Sequence, residues 1–332
     1  TSSIHGEDWP QLQFDSGHSG NAPDRTIDPS SLGLVGAVPF SDGLYSSPVI
    51  ADGNIYAIDG SGLVRCLAAD TLEAVWEFQT KGGKLNVNNV GSPAVVDDYL
   101  HVGTTAGYYY VLDRKTGKVV TEIDCEDAIF GAPVPSEGRV YFATLGAVVY
   151  ALEPDGTTAW TWDFVREVVG FEGNRWKGDD WVAFRGDRVN WKDHFVCSRD
   201  ISLVGDTVVM PAGGRTVFVD DTEDGPRLRT VGEIPAYAGR EYPATFGQSA
   251  DNEGNVYIQW HRRDNAGRVE VLRLQDDNTV EATYVPGTQT AINLPGLLSF
   301  CSVSIRGRDV FRCRPEDGFG FCRHSPDPDE PQ

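Results

Sequence analysis

One phrase recurs three times in this chain and constrains its fold more than any other feature. It reads Ser47-Pro48-Val49-Ile50-Ala51-Asp52-Gly53-Asn54-Ile55-Tyr56-Ala57, then Ser92-Pro93-Ala94-Val95-Val96-Asp97-Asp98-Tyr99-Leu100-His101-Val102, then Ala132-Pro133-Val134-Pro135-Ser136-Glu137-Gly138-Arg139-Val140-Tyr141-Phe142. Each copy is a small residue and Pro, a short apolar run, an acidic or Gly turn, and a second apolar run. The first two prolines are 45 residues apart and the next two 40 apart. In an all-β pattern, a period of that size is one propeller blade per repeat. The expected fold is a six- to seven-bladed β-propeller of four-stranded antiparallel blades, closed by an N-terminal strand.

The chain divides on this basis. Residues 1–31 are polar and turn-rich and read as an extended arm. Residues 32–325 form the propeller, and 326–332 a polar tail. Blade one is expected over 44–82, with strands at 47–51, 54–58, 63–68 and 74–79 separated by tight Gly turns. Blade two follows over 91–124, blade three over 131–164, and blade five over 242–284. The last unit, 298–323, has only three strands. The lone apolar run at 32–40 is therefore expected to supply its fourth strand and close the ring, removing an open edge.

The repetition breaks at residues 165–192, an irregular stretch with Trp176, Trp181, Trp191 and four Arg. A blade needs only short turns, so a long insertion adds ordering cost that the fold does not require. Three indole rings argue against disorder, since each buries on the order of 150–250 Å². One or two should point inward and the rest toward a partner. The expected contact residues are Trp176, Trp181, Arg185, Trp191 and His194.

The formal net charge is -21, which opposes binding to phosphate backbones and so to nucleic acid. No run of 18 apolar residues is present, so no membrane-spanning helix is expected. No signal peptide is evident, and the chain opens on Thr1, which reads as a processed or trimmed form. Six Cys occur without a CxxC pair. Cys313 and Cys322 are symmetric about Asp317-Gly318, so a hairpin turning there sets them opposite one another and permits a disulfide. That pairing favours an oxidising compartment.

The blades carry a second signature: Val111-Leu112-Asp113-Arg114-Lys115-Thr116-Gly117-Lys118-Val119-Val120, and Ala151-Leu152-Glu153-Pro154-Asp155-Gly156-Thr157-Thr158-Ala159-Trp160. It resembles the pyrroloquinoline-quinone-type repeat of quinoprotein alcohol dehydrogenases and of the outer-membrane assembly propeller lipoprotein. The opening Asp8-Trp9-Pro10-Gln11-Leu12-Gln13-Phe14 is similar to the lead-in of many secreted bacterial proteins of this kind. The resemblance implies that Trp76 and Trp160 dock one blade on the next. It also implies a secreted, periplasmic or cell-surface location, with a lipid anchor compatible.

The quinone itself is not expected. The resembled dehydrogenases have eight blades, a vicinal Cys pair and a calcium set. This chain has no adjacent cysteines and no CxxCH, and no calcium set can be assigned. Pyrroloquinoline quinone and calcium are therefore not expected as cofactors, and no metal site is assigned. The leading reading is a non-enzymatic propeller that binds protein or glycan partners. The alternatives are a polysaccharide lyase or hydrolase, and less so a quinone-dependent dehydrogenase. A uronate lyase needs a base, an acid and a charge neutraliser. Arg185, Arg188, Trp191, Lys192, Asp193 and His194 supply one such set of residue types; Tyr257, Trp260, His261, Arg262 and Arg263 supply another.

Overall fold

The computed structural model describes residues 8–22, 28–34, 36–83, 89–233, 248–251, 253–261, 267–285, 304–306, 309–314 and 320–324. They form six antiparallel sheets in chain order, five of four strands and a sixth of three. The first sheet is Val49–Ala51, Asn54–Ile58, Leu63–Ala68 and Ala74–Gln79, each strand paired to the next. The innermost strands of successive sheets pack side by side, which sets the blades around a common axis. The fold is a β-propeller.

Period-2 alternation decides how the blades stack. In the first sheet Tyr56, Ile58, Val64 and Cys66 face the second, against Leu100, Val102, Tyr110 and Leu112. The other face of the second sheet, with Tyr109 and Val111, meets Phe142 and Leu152 of the third. Both faces of a middle blade are therefore apolar and buried.

A polar latch repeats at the outer end of the first three seams. Trp76 Nε1 donates to the carbonyl oxygen of Arg114 at 2.9 Å. The Trp76 ring lies over Gly117, where an added Cβ would come within 2.6 Å of it. At the next seam, His101 Nε2 lies 3.0 Å from the Pro154 carbonyl oxygen, and Thr121 Oγ1 donates to the Asp155 carbonyl oxygen at 2.7 Å. At the third, the acceptor is a side chain. The Asp221 carboxylate takes bonds from Trp160 Nε1 at 2.9 Å, Tyr141 Oη at 2.6 Å and the Arg139 guanidinium. Trp76 and Trp160 thus dock neighbouring blades.

The N-terminal segment departs from expectation. Residues 32–34 and 36–40 form no strand, and Leu32 and Leu34 are 68% and 90% exposed. Gly33, Gly36 and Pro39 interrupt the run, and Pro39 has no N–H to give a ladder. This stretch lies instead along the first sheet. The Pro39 carbonyl accepts from Arg65 Nη1 at 2.7 Å, and the Phe40 ring sits 5.0 Å from that guanidinium. Ring closure by a strand over 32–40 is therefore corrected.

The pairing role falls to earlier residues. Trp9 and Ile50 exchange both backbone hydrogen bonds. Val95 N donates to Pro10 O, Leu203 N to Ser16 O, and Ala250 N to Gly17 O. Those four residues belong to the innermost strands of the first, second, fourth and fifth sheets. Buried His18 adds contacts to Leu12 O at 2.9 Å and Ile201 O at 2.7 Å. The arm therefore ties the beginning of the ring to its later sheets through main-chain bonds.

In the sixth sheet, Cys313 pairs with Phe321 and Cys322 with Arg312. The hairpin is one residue out of the register expected from symmetry about Asp317-Gly318. The two cysteines are not directly opposite, and their side chains lie outside the described residues. The tail at 326–332 lies outside them too.

Candidate functional site: the helical insertion between the third and fourth sheets

The insertion leaves the strand Thr158–Asp163 and enters Ser202–Val204. Asp163 starts it, its Oδ1 accepting Val165 N at 3.0 Å over the single π-turn Val165–Val169. Gly170, at φ 73°, ends that turn in the left-handed region. The helix Gly178–Arg185 follows, with Asp179 and Asp180 in its first turn, where the helix dipole favours anions. Gly186, at φ 92°, stops it. A last short turn, Trp191–His194, leads back to the propeller.

Arg175 clamps the insertion down through the Gly146 carbonyl and the Asp163 carboxylate. Cys197 N donates to Leu145 O at 2.9 Å, and Gly213 N to Val196 O at 3.2 Å. The insertion is thereby bonded to the sheets on both sides of it. Asp127 lies under this clamp, and burial pushes its carboxyl upward despite the Gly146 N–H and nearby Arg175. Burial likewise raises the Cys197 thiol to about 12, which makes it inert at neutral pH.

Six aromatic rings run through the insertion in a continuous row. Trp181 is fully buried, stacked on Phe171 at 3.9 Å and 8° and facing Phe195 at 5.8 Å. Its Nε1 donates to the Arg175 carbonyl at 2.9 Å. From Phe171 the row continues to Phe184 at 5.3 Å. From Phe195 it continues to Trp176 at 5.2 Å, and from Trp176 to Trp191 at 5.2 Å. The two ends are open: Phe184 is 50% and Trp191 41% exposed.

The five residues singled out from the sequence therefore separate. Trp181 is core, joined to the cluster beneath the third and fourth sheets. Trp176 is half-buried and carries the contact outward. Trp191 is surface. Arg185 pairs with Asp187 at 2.8 Å at an exposed position, a pair worth little. His194 Nδ1 lies 2.8 Å from the Asn190 carbonyl oxygen, within its own turn. The sequence reading missed Phe184. It lies three residues after Trp181, and that spacing on a helix marks one face.

Of the second cluster, Tyr257 is buried and donates to Asp251 Oδ2 at 2.9 Å, while the side chains of Trp260 and His261, and residues 262 and 263, fall outside the described set. Among the described residues, no group of three or more His, Cys, Asp or Glu is arranged to hold a metal ion. Cys66, Cys125 and Cys197 are free thiols.

Among curated relatives, outer membrane protein assembly factor BamB of Yersinia pestis is 28% identical over 115 residues, 32% of this chain and 29% of that protein. BamB of Marinobacter adhaerens is 32% identical over 91 residues, 27% of this chain and 22% of the relative. Quinohemoprotein alcohol dehydrogenase ADH IIB of Pseudomonas putida is 25% identical over 219 residues, 56% of this chain and 31% of the relative. The matches thus span less than a third of each of these relatives. Two solved structures share the fold. Quinohemoprotein alcohol dehydrogenase from Comamonas testosteroni superposes with a TM-score of 0.60 at 14% identity, covering 92% of this chain and 57% of that one. A europium-containing methanol dehydrogenase gives 0.62 at 12%, covering 94% and 67%. The family model described as outer membrane protein assembly factor BamB matches residues 34–128 and 91–258, more than half of the sequence, and the chain belongs to that family.

Proposed function

We propose that the chain is a non-enzymatic binding propeller, secreted, periplasmic or held at the cell surface, that engages a protein partner through the insertion. One observation carries this reading: an aromatic row whose middle is locked in the core and whose two ends stand open to solvent. Rigid aromatic anchors lose little entropy on binding, and Trp is enriched where interfaces are strongest. The name assembly factor, borne by the BamB relatives, supports a protein rather than a glycan as the partner. No helix among the described residues is long and apolar enough to cross a membrane.

The site residues on this reading are Phe184, Trp191 and Trp176, with Trp181 as their support. Arg185 and His194 stand at the rim. No quinone or calcium is part of the proposal. The sequence has no vicinal cysteines, and the three described thiols are each shifted upward by burial rather than poised for chemistry.

The test compares co-purification from the native envelope fraction using wild type, Phe184→Ala with Trp191→Ala, and Trp181→Ala. The surface pair should lose a discrete protein partner while melting as wild type does. Trp181→Ala should melt lower, by roughly 3–5 kcal/mol of stability. Recovery of an oligosaccharide in place of a protein would favour the glycan alternative. Release of ultraviolet-absorbing unsaturated products from uronic-acid polymers would show a lyase.

A further inference from the structure

The seams between the first and second sheets and between the third and fourth use the same strand positions with different residues. In the third sheet, Arg139 opens the second strand, Tyr141 follows two places on, and Trp160 lies across from Ala151 in the fourth strand. All three reach Asp221, just beyond the turn-side pairing of Thr207 with Asp220. In the first sheet the same positions hold Asn54, Tyr56 and Trp76. The place of Asp221 is taken by Arg114, just beyond the pairing of Tyr99 with Asp113.

That exchange leaves Tyr56 and Trp76 without the shared carboxylate acceptor that Asp221 supplies at the other seam. Trp76 uses the Arg114 carbonyl instead, but Tyr56 Oη is 3.5 Å from that oxygen, too far for a good O–H···O bond. Asn54 is shorter than Arg139 and turns its Nδ2 to the Asp52 carbonyl at 3.2 Å. The Arg114 side chain swings to Asp52, and its Nε is buried without an acceptor. A cleft of about 210 Å³ remains, walled by Asn54, Tyr56, Cys66, Val75, Arg114 and Lys115, with Asp52 on its wall as the present counter-ion of Arg114. Burial holds the Tyr56 hydroxyl near 12 and the Cys66 thiol near 11, so both stay protonated and Tyr56 remains a donor.

We propose that this cleft binds a small carboxylate, held by the Tyr56 hydroxyl, the Arg114 guanidinium and the Lys115 ammonium as Asp221 is held within the chain. The counter-ions yield easily. Asp52 is 67% exposed and Asp98, the partner of Lys115, is 63% exposed. The Lys115–Asp98 pair is exposed at both ends and worth little, and in the Arg114–Asp52 pair the carboxylate is the solvated end, so an incoming carboxylate can take its place. The volume is below that of drug-sized sites, which limits the ligand to a few non-hydrogen atoms. The cleft belongs to the first two sheets and stands independently of the insertion's role.

Calorimetric titration of the full chain with acetate, succinate and, separately, inorganic phosphate tests this. Saturable binding of a carboxylate is expected, weakened about tenfold or more in Arg114→Gln. Tyr56→Phe should weaken it as well. Asn54→Arg with Arg114→Asp rebuilds the internal pair of the other seam, and should abolish binding without lowering the melting temperature. Absence of saturable heat with both carboxylates, unchanged affinity in Arg114→Gln, or phosphate binding as tightly as either carboxylate would each overturn the proposal.

Discussion

Replacing Asp221 by Ala removes the acceptor on which three side chains of the neighbouring blade converge. Trp160 and Tyr141 are only 8% and 5% exposed, so their donors are left without water. An orphaned buried donor costs about 1–3 kcal/mol. Arg139 is more open, and Glu153 at 3.8 Å offers it a second carboxylate, so its loss is smaller. The sum is a loss of about 3–5 kcal/mol. With an unfolding entropy of about 2.1 cal/mol/K per residue over 332 residues, the melting temperature should fall by about 4–7 °C. Arg114→Ala changes the matching position at the first seam, where the acceptor is the main-chain carbonyl, which the substitution keeps. It forfeits an ion pair whose carboxylate end is solvated, together with the packing of an Arg114 side chain that is 15% exposed, and should cost about 1 kcal/mol, well below the loss at Asp221. Thermal and urea unfolding of both variants decides the matter. Equal losses at the two seams, or an Asp221→Ala protein as stable as wild type, would refute the latch.

Three other outcomes follow from the same geometry. Removing residues 1–22 strips acceptors from Ile50, Val95, Leu203 and Ala250, and should lower melting by several degrees; unchanged melting would show that the arm is not structural. Gly117→Ala should cost more than Gly53→Ala although both sit at positive φ, because only Gly117 lies under the Trp76 ring; urea midpoints of the two variants compare them directly. His101 is fully buried, and burial lowers its pKa to about 4 despite the Pro154 carbonyl. Folding therefore favours its neutral form. The penalty is absent above the unfolded value near 6.5, grows as pH falls toward 4, and reaches about 3 kcal/mol. His101→Gln should flatten that part of the stability profile measured by urea unfolding between pH 7 and 4. Retention of the full acid sensitivity would contradict the assignment.

The repeated phrase made the first three blades legible almost residue by residue. The strands Asn54–Ile58, Leu63–Ala68 and Ala74–Gln79 fall at the expected positions, because alternation and Gly turns are local signals. The arm was less legible because its links are main-chain bonds through Trp9, Pro10, Ser16 and Gly17, which no side-chain pattern announces. The run at 32–40 looked like a strand from its apolar content, and its Gly and Pro residues prevailed. At Cys313 and Cys322, symmetry about a Gly turn was a weak guide, since hairpin register depends on turn geometry that composition does not specify. Within the insertion, the tryptophans signalled order correctly. Which of them would be buried depended on stacking against Phe171 and Phe195, a tertiary fact.

The central claim, partner binding at the insertion, is tested most directly by photo-crosslinking in living host cells. A photoreactive residue is placed in turn at Phe184, at Trp191, and at Asp155 in an exposed turn of the third sheet. Adducts to one discrete protein at 184 and 191, with none at 155, are expected. The same adduct at all three positions, or no protein adduct at 184 and 191, would contradict the account.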